Sequence, residues 1–188
     1  MAPVARGLAD SFRVLRPFQR GSGGEPLTVA RHVTDLHELV EPLGRPALVG
    51  SSWGAMLALA YAAAHPKCAG PLVLVGCGTF DLASRARFKA TLDERMDDRL
   101  RRRIEGLERE IADPDRRLAA LADLLSPLYN YDPLSRDLAV DTCDDRANKE
   151  TWADMLRLQA DGTSPAAFAA IDSPVLMLTA GSTPTRAR

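Results

Sequence analysis

Residues 47–56 read Ala-Leu-Val-Gly-Ser-Ser-Trp-Gly-Ala-Met: an apolar run that meets a Gly-x-Ser-x-Gly turn and continues as an alanine-rich helical pattern, free of Gly and Pro from 55 to 65. This spelling constrains the fold more than any other stretch. A sharp strand-to-helix turn lifts its central serine clear of the backbone, and small residues two before and two after it let strand and helix come close. Gly50 and Gly54 occupy those places, with Ser52 at the apex. A helix that begins here aims its free N–H groups and positive dipole end back at the turn, so the Trp53 N–H is placed to hold an oxyanion. Ser52 is therefore the candidate nucleophile.

The flanking segments supply a sheet. A helix end in 4–10 precedes Phe12-Arg13-Val14-Leu15-Arg16, whose alternation and β-forming residues predict a short strand closed by Pro17. The glycines of 21–24 lie before Pro26 and a polar gap rather than opening a helix, which is the wrong setting for a phosphate cradle. Thr28 reads as an N-cap, and Val29, Val33, Leu36, Val40 and Leu43 then recur at helical spacing until Gly44. After the elbow helix, Pro71-Leu72-Val73-Leu74-Val75 is the continuous apolar run of a parallel strand covered on both faces. Gly76-Cys77-Gly78-Thr79-Phe80-Asp81 leaves its carboxyl end, where open α/β sheets place their chemistry.

From Leu82 the texture changes. Phe88, Leu92, Met96, Leu100, Ile104, Leu107 and Ile111 keep one helical stripe through a charged segment that ends at Asp113-Pro114. Helical pieces follow around 118–125 and 152–158, with Ser126-Pro127, Asp132-Pro133 and 141–145 read as loops. Residues 82–170 are thus expected to form a helical cap, and Arg101-Arg102-Arg103 within it a solvated face. Ser173-Pro174 then leads into Val175-Leu176-Met177-Leu178, read as another buried strand. The core is assigned to 1–81 and 171–188. Strand, helix, strand, helix, strand in that order implies right-handed crossovers and a mostly parallel sheet with helices on both faces.

With hydrophobic residues at 46% and a formal net charge of -1, neither a nucleic-acid nor an anionic-membrane partner is indicated. A small molecule or peptide is the expected substrate, with no cofactor. Cys68, Cys77 and Cys143 have no metal-ligand spacing, and their odd number argues against a disulfide framework, so reduced thiols and no metal are expected. No charged leader opens the chain and no run of about eighteen apolar residues occurs, which makes a cytoplasmic protein the default expectation.

Taken together, Gln19-Arg20-Gly21-Ser22-Gly23, the Gly50-Ser51-Ser52-Trp53-Gly54 elbow and the helical insertion before Ser173-Pro174-Val175-Leu176-Met177-Leu178 give a chain that resembles the α/β-hydrolase superfamily, and within it the proline iminopeptidase-like branch. The resemblance implies a serine hydrolase cleaving an ester, amide or N-terminal peptide bond through an acyl-enzyme at Ser52. It also implies a triad acid after the strand that follows the cap, a histidine in a later loop, and a His-Gly-Gly loop giving a second oxyanion N–H. The chain departs from that pattern at all three: the His-Gly-Gly loop would lie upstream of Met1, no acid follows Leu178 before Pro184, and no histidine follows. The sheet is accordingly expected to be incomplete.

The residues present offer poor substitutes. His32 and His37, five apart on one helix, stand about 140° apart around its axis, and His65 lies roughly 17 Å along the elbow helix from Ser52. All three read as surface or capping residues. Asp81 leaves the strand after the elbow and is a candidate acid, though it more simply caps the first cap helix. Three lysines beside twenty-one arginines suggest a G/C-rich gene. Back-translation of the last ten residues with one C restored reads HRGLDPHPGE, with Asp-Pro where the resemblance puts its acid. The alternative reading is therefore a non-catalytic pseudoenzyme, or a fragment of a frameshifted or truncated hydrolase gene, poorly soluble on its own.

Overall fold

The computed structural model describes residues 2–129 and 142–179. The Asp132-Pro133 loop and the back-translated tail lie outside the described residues, apart from Thr179. In chain order the elements are α1 (Ala2–Leu8), α2 (Val29–Val40), β1 (Leu48–Ser51), α3 (Trp53–Ala64), β2 (Leu72–Val75), α4 (Leu82–Arg95), α5 (Asp98–Glu110), α6 (Pro114–Tyr129), α7 (Asp145–Ala160), α8 (Thr163–Ala167) and β3 (Val175–Leu178). Single 3-10 turns occupy Glu41–Leu43 and Phe168–Ala170.

These elements form two units. The first takes residues 2–20, 28–78 and 162–179, and the second 21–27, 79–129 and 142–161. The division departs from the sequence reading at both ends of the cap and in giving the short 21–27 loop to the second unit. The reasons are local: Gln159 donates to the Thr79 carbonyl at 2.5 Å, α8 packs on α3, and two carboxylates of the α7 region hold the loop.

In the first unit β1, β2 and β3 make a parallel sheet in that order, with Leu48 beside Leu72 and Leu72 beside Val175. The sheet is parallel and incomplete, as expected. Its core is α3, whose apolar circumference is buried at Ala55, Met56, Leu57, Ala58, Leu59, Tyr61 and Ala62 against Leu72 and Leu74. Burying a side chain of Leu or Tyr size contributes roughly 1.5–3 kcal/mol, which is why a helix without a polar face is stable only here. On α2 the Thr28 hydroxyl accepts from the Arg31 N–H at 3.1 Å, and Gly44 ends the following 3-10 turn at φ 64°.

Two strand expectations fail in this unit. Residues 12–16 form no strand, and Phe12, Leu15 and Phe18 are exposed, Phe18 by 98%. β propensity spans only about 1 kcal/mol per residue, so alternation makes no strand without a ladder partner. Among the described residues β1 pairs only with β2. The second failure is β3, which was expected to be buried yet is between 46% and 55% exposed at all four positions. Among the described residues it is an edge strand, and its apolar run reads the same as that of β2 between its two neighbours.

The second unit is helical. The stripe that reads as one helix is broken at Met96, where Asp97 caps α5 by accepting from the Leu100 N–H at 2.7 Å; the spacing of the apolar residues survives the break. Pro127 does not end α6, which runs on to Tyr129. A proline this close to the helix end removes only a late hydrogen bond. Asp144 caps α7 through the Ala147 N–H at 2.8 Å, and its other oxygen accepts from the Ser22 N–H at 2.7 Å. No described helix is long and apolar enough to cross a membrane.

Candidate active site

β1 ends at Ser51 and α3 begins at Trp53, so Ser52 alone makes the turn. Its φ of 52° and ψ of −118° lie in a sparsely populated region, which costs a non-glycine residue about 1–3 kcal/mol and persists only where the surroundings over-determine it. The surroundings do so through the backbone. The Ser52 N–H donates to the Val75 carbonyl at 3.0 Å, and the Ser52 carbonyl accepts from the N–H groups of Ala55 and Met56 at 3.1 and 3.3 Å. The side chain is exposed and does not cap its own helix.

The two elbow glycines differ in what they do. A Cβ on Gly50 would lie 2.2 Å from the Gly54 carbonyl oxygen, whereas one on Gly54 would meet nothing within 4 Å. Gly50 is small because α3 passes over it; Gly54 supplies the backbone that passes. With Ala55 and Met56 bonded to the Ser52 carbonyl, the Trp53 and Gly54 N–H groups are the first-turn donors that take no backbone acceptor among the described residues.

Of the three histidines, expected in surface or capping roles, His65 caps α3 while His32 is buried. His32 is buried, only 4% exposed, and meets the Trp53 indole edge-on, with ring centroids 5.7 Å apart. Burial pushes its pKa down, an effect opposed by Asp35 and assisted by Arg20. His65 is the C-cap residue of α3 and stacks on His37 at 3.8 Å between centroids. His37 Nδ1 is hydrogen-bonded to the hydroxyl of fully buried Tyr61 at 3.3 Å. Burial first, then the neighbouring His37, lowers the pKa of His65, with Glu41 acting against them.

These shifts make a stability prediction. Histidines whose folded pKa lies below the unfolded value near 6.5 are less protonated when folded, so the unfolded chain takes up more protons as pH falls. The urea midpoint is expected to be level above about pH 7.5 and to drop between there and about pH 5.5, before carboxylates titrate. His65→Gln should flatten part of that drop; a midpoint constant through the window would contradict the assignment.

Asp81 is the N-cap of α4: one carboxylate oxygen accepts from the Ser84 N–H at 2.7 Å and the other from the Ser84 hydroxyl at 3.1 Å, and these bonds hold its pKa below the usual carboxylate value. Among the described residues, none of the three histidines is brought into hydrogen bonding with the Ser52 hydroxyl. Cys68, Cys77 and Cys143 are free, and burial pushes the Cys77 thiol up to about 11, leaving it protonated and unreactive near neutrality. Among the described residues no group of three or more His, Cys, Asp or Glu could hold a metal. Sequence reasoning missed the surroundings of Trp53. Its Nε1–H donates to Gln19 Oε1 at 3.2 Å, a contact across thirty-four residues that no spacing rule signals.

The profile of the alpha/beta hydrolase family matches residues 1–187. Among solved structures, a thermophilic esterase from Thermogutta terrifontis with malate bound is similar over 93% of this chain and 74% of its own, at 15% identity and a TM-score of 0.47. No curated protein matches the sequence.

Proposed function

The chain belongs to the alpha/beta hydrolase family, and from that membership and the elbow we propose that Ser52 is the nucleophile of a hydrolase acting on an ester, amide or N-terminal peptide bond. One observation carries the reading: an exposed serine held at φ 52° between a strand and the helix it starts, with its hydroxyl taking no cap bond from that helix. Strain of this kind is kept where a reactive group has to stand clear.

In this reading the Ser52 Oγ attacks the carbonyl carbon, and the Trp53 N–H stabilises the oxyanion. The carbonyl–leaving-group bond breaks and the alcohol or amine departs with the proton that the Ser52 hydroxyl gives up, leaving an acyl ester at Ser52 that water then hydrolyses to the acid and the free serine. The Ser-Trp-Gly elbow and Gln19 to Gly23 support the proline iminopeptidase-like branch, and with it a small-molecule or peptide substrate. A second reading, a non-catalytic chain that keeps the elbow, is favoured by the placement of His32, His37 and His65 against other partners.

A fluorophosphonate probe separates the two. Stoichiometric labelling of the folded chain that vanishes in Ser52→Ala is the expected result. A folded chain that stays unlabelled at millimolar probe would favour the non-catalytic reading.

A further inference from the structure

The indole that follows Ser52 is held at two points, each next to the Arg20–Asp35 pair. Trp53 Nε1–H donates to Gln19 Oε1 at 3.2 Å. Arg20, the next residue, forms a two-pronged pair with Asp35: Nε donates to one carboxylate oxygen at 2.5 Å and a terminal nitrogen donates to the other. Asp35 and His32 are three residues apart on α2 and so share a face, and His32 meets the indole edge-on at an interplanar angle of 70°.

We propose that Gln19 is a positioning residue that, braced by the Arg20–Asp35 pair and by His32, fixes the Trp53 indole and through it the Trp53 backbone N–H as an oxyanion donor. The proposal rests on the assignment of Ser52 as nucleophile. Trp53 is the first residue of α3, so its own N–H has no helical acceptor; its peptide unit is held from the carbonyl side, where the Ser52 oxygen accepts from the Ala55 and Met56 N–H groups, and the indole contacts restrain it from the Trp53 side. A donor to a developing oxyanion works only when held to about half an ångström. Anchoring the side chain at two points adds to the hold that the Ser52 carbonyl already has on that unit. The bidentate guanidinium–carboxylate pair fixes direction as well as distance, which holds the chain beside Gln19 where a lone exposed amide would wander. Asp35, Arg20 and the indole are among the groups facing His32; with burial lowering its pKa, the ring meets Trp53 uncharged near neutrality.

The test uses the full chain carrying Trp152→Phe, which leaves Trp53 as the sole tryptophan. Time-resolved fluorescence anisotropy reports indole motion, and the second-order rate of fluorophosphonate labelling reports the oxyanion site. Gln19→Ala is expected to introduce a sub-nanosecond anisotropy loss and to slow labelling roughly three- to tenfold, the loss of one hydrogen bond. Its thermal midpoint should be unchanged, because Gln19 is exposed. Gln19→Glu, which keeps an acceptor, should restore both readouts. An indole as immobile in Gln19→Ala as before, or one that loosens while the labelling rate holds, overturns the proposal. If the parent chain takes no label, the Ser52 assignment fails, and the anisotropy alone then upholds or overturns the clamp. Should Trp152→Phe fail to fold, 5-fluorotryptophan in the otherwise unaltered chain gives the same comparison by 19F line width.

Discussion

Gly50→Ala should unfold the elbow, while Gly54→Ala, four residues away, should leave stability level or slightly raised. The added Cβ at 50 would lie 2.2 Å from the Gly54 oxygen, 2.4 Å from its carbonyl carbon and 2.5 Å from the Ala55 nitrogen. All three are backbone atoms, so no side chain can turn away. Relief requires α3 to back off β1, yet α3 is the buried centre of its unit, and Gly50 is registered against Leu74 in the sheet. Overpacking a close-packed interior costs about 1–3 kcal/mol and more where the backbone must shift; the rigid neighbours here put Gly50→Ala at the upper end or beyond. Small domains carry only about 5–15 kcal/mol in total. At Gly54 the added methyl meets open space, and replacing helical Gly by Ala contributes up to about 1 kcal/mol, less near the first turn. Urea denaturation should show a midpoint lower by on the order of 1 M or more for Gly50→Ala and unchanged or higher for Gly54→Ala. The reverse order would mean that the close approach of α3 to β1 is not what selects glycine at 50.

That contrast shows where the sequence was legible. The elbow was readable because Gly-x-Ser-x-Gly is a local device: strand, turn and helix lie within about twenty consecutive residues, and the constraint on Gly50 comes from Gly54 and Ala55. Caps were readable for the same reason, Thr28 and Asp81 each bonding a group three residues on. What depended on distant partners was not. Phe12 to Arg16 has a strand's spelling, but whether it pairs depends on an edge elsewhere in the chain. Val175 to Leu178 spells a buried strand as well as Leu72 to Val75 does, and only sheet order separates the edge strand from the central one. His32 was read from its own helix, whereas its burial comes from Trp53 and the chain around it. The acid and base that the resemblance implies belong to the same class, since their signal comes from loops remote from the elbow; Asp81 has a local partner in Ser84, and the histidines have distant ones in Trp53 and Tyr61.

The 188-residue chain should self-associate at micromolar concentration, and charge on the outer strand should suppress it. Sheet register puts Leu176 beside Val73 and Leu178 beside Val75, so these four share one face with Val49, and Val49, Leu176 and Leu178 are each at least 40% exposed. The outer edge of β3 has no partner among the described residues. An apolar face beside an open ladder is what another chain pairs with, because added strands satisfy N–H and C=O groups while covering apolar area. Exposed Phe12, Leu15 and Phe18 add to the same tendency. Lysine at 176 and 178 would raise the cost of stacking that face and set like charges against each other in any symmetric pairing. Both positions are already open to solvent, so the double substitution should change stability by no more than about 0.5 kcal/mol per site. Sedimentation velocity on the parent chain should show oligomers and fast-sedimenting aggregate, and on Leu176→Lys with Leu178→Lys a shift toward monomer. A parent chain that is monomeric with one cooperative thermal transition would show that the exposed strand is no liability, and would argue that residues 12–18 or the sheet edge find cover within a single molecule.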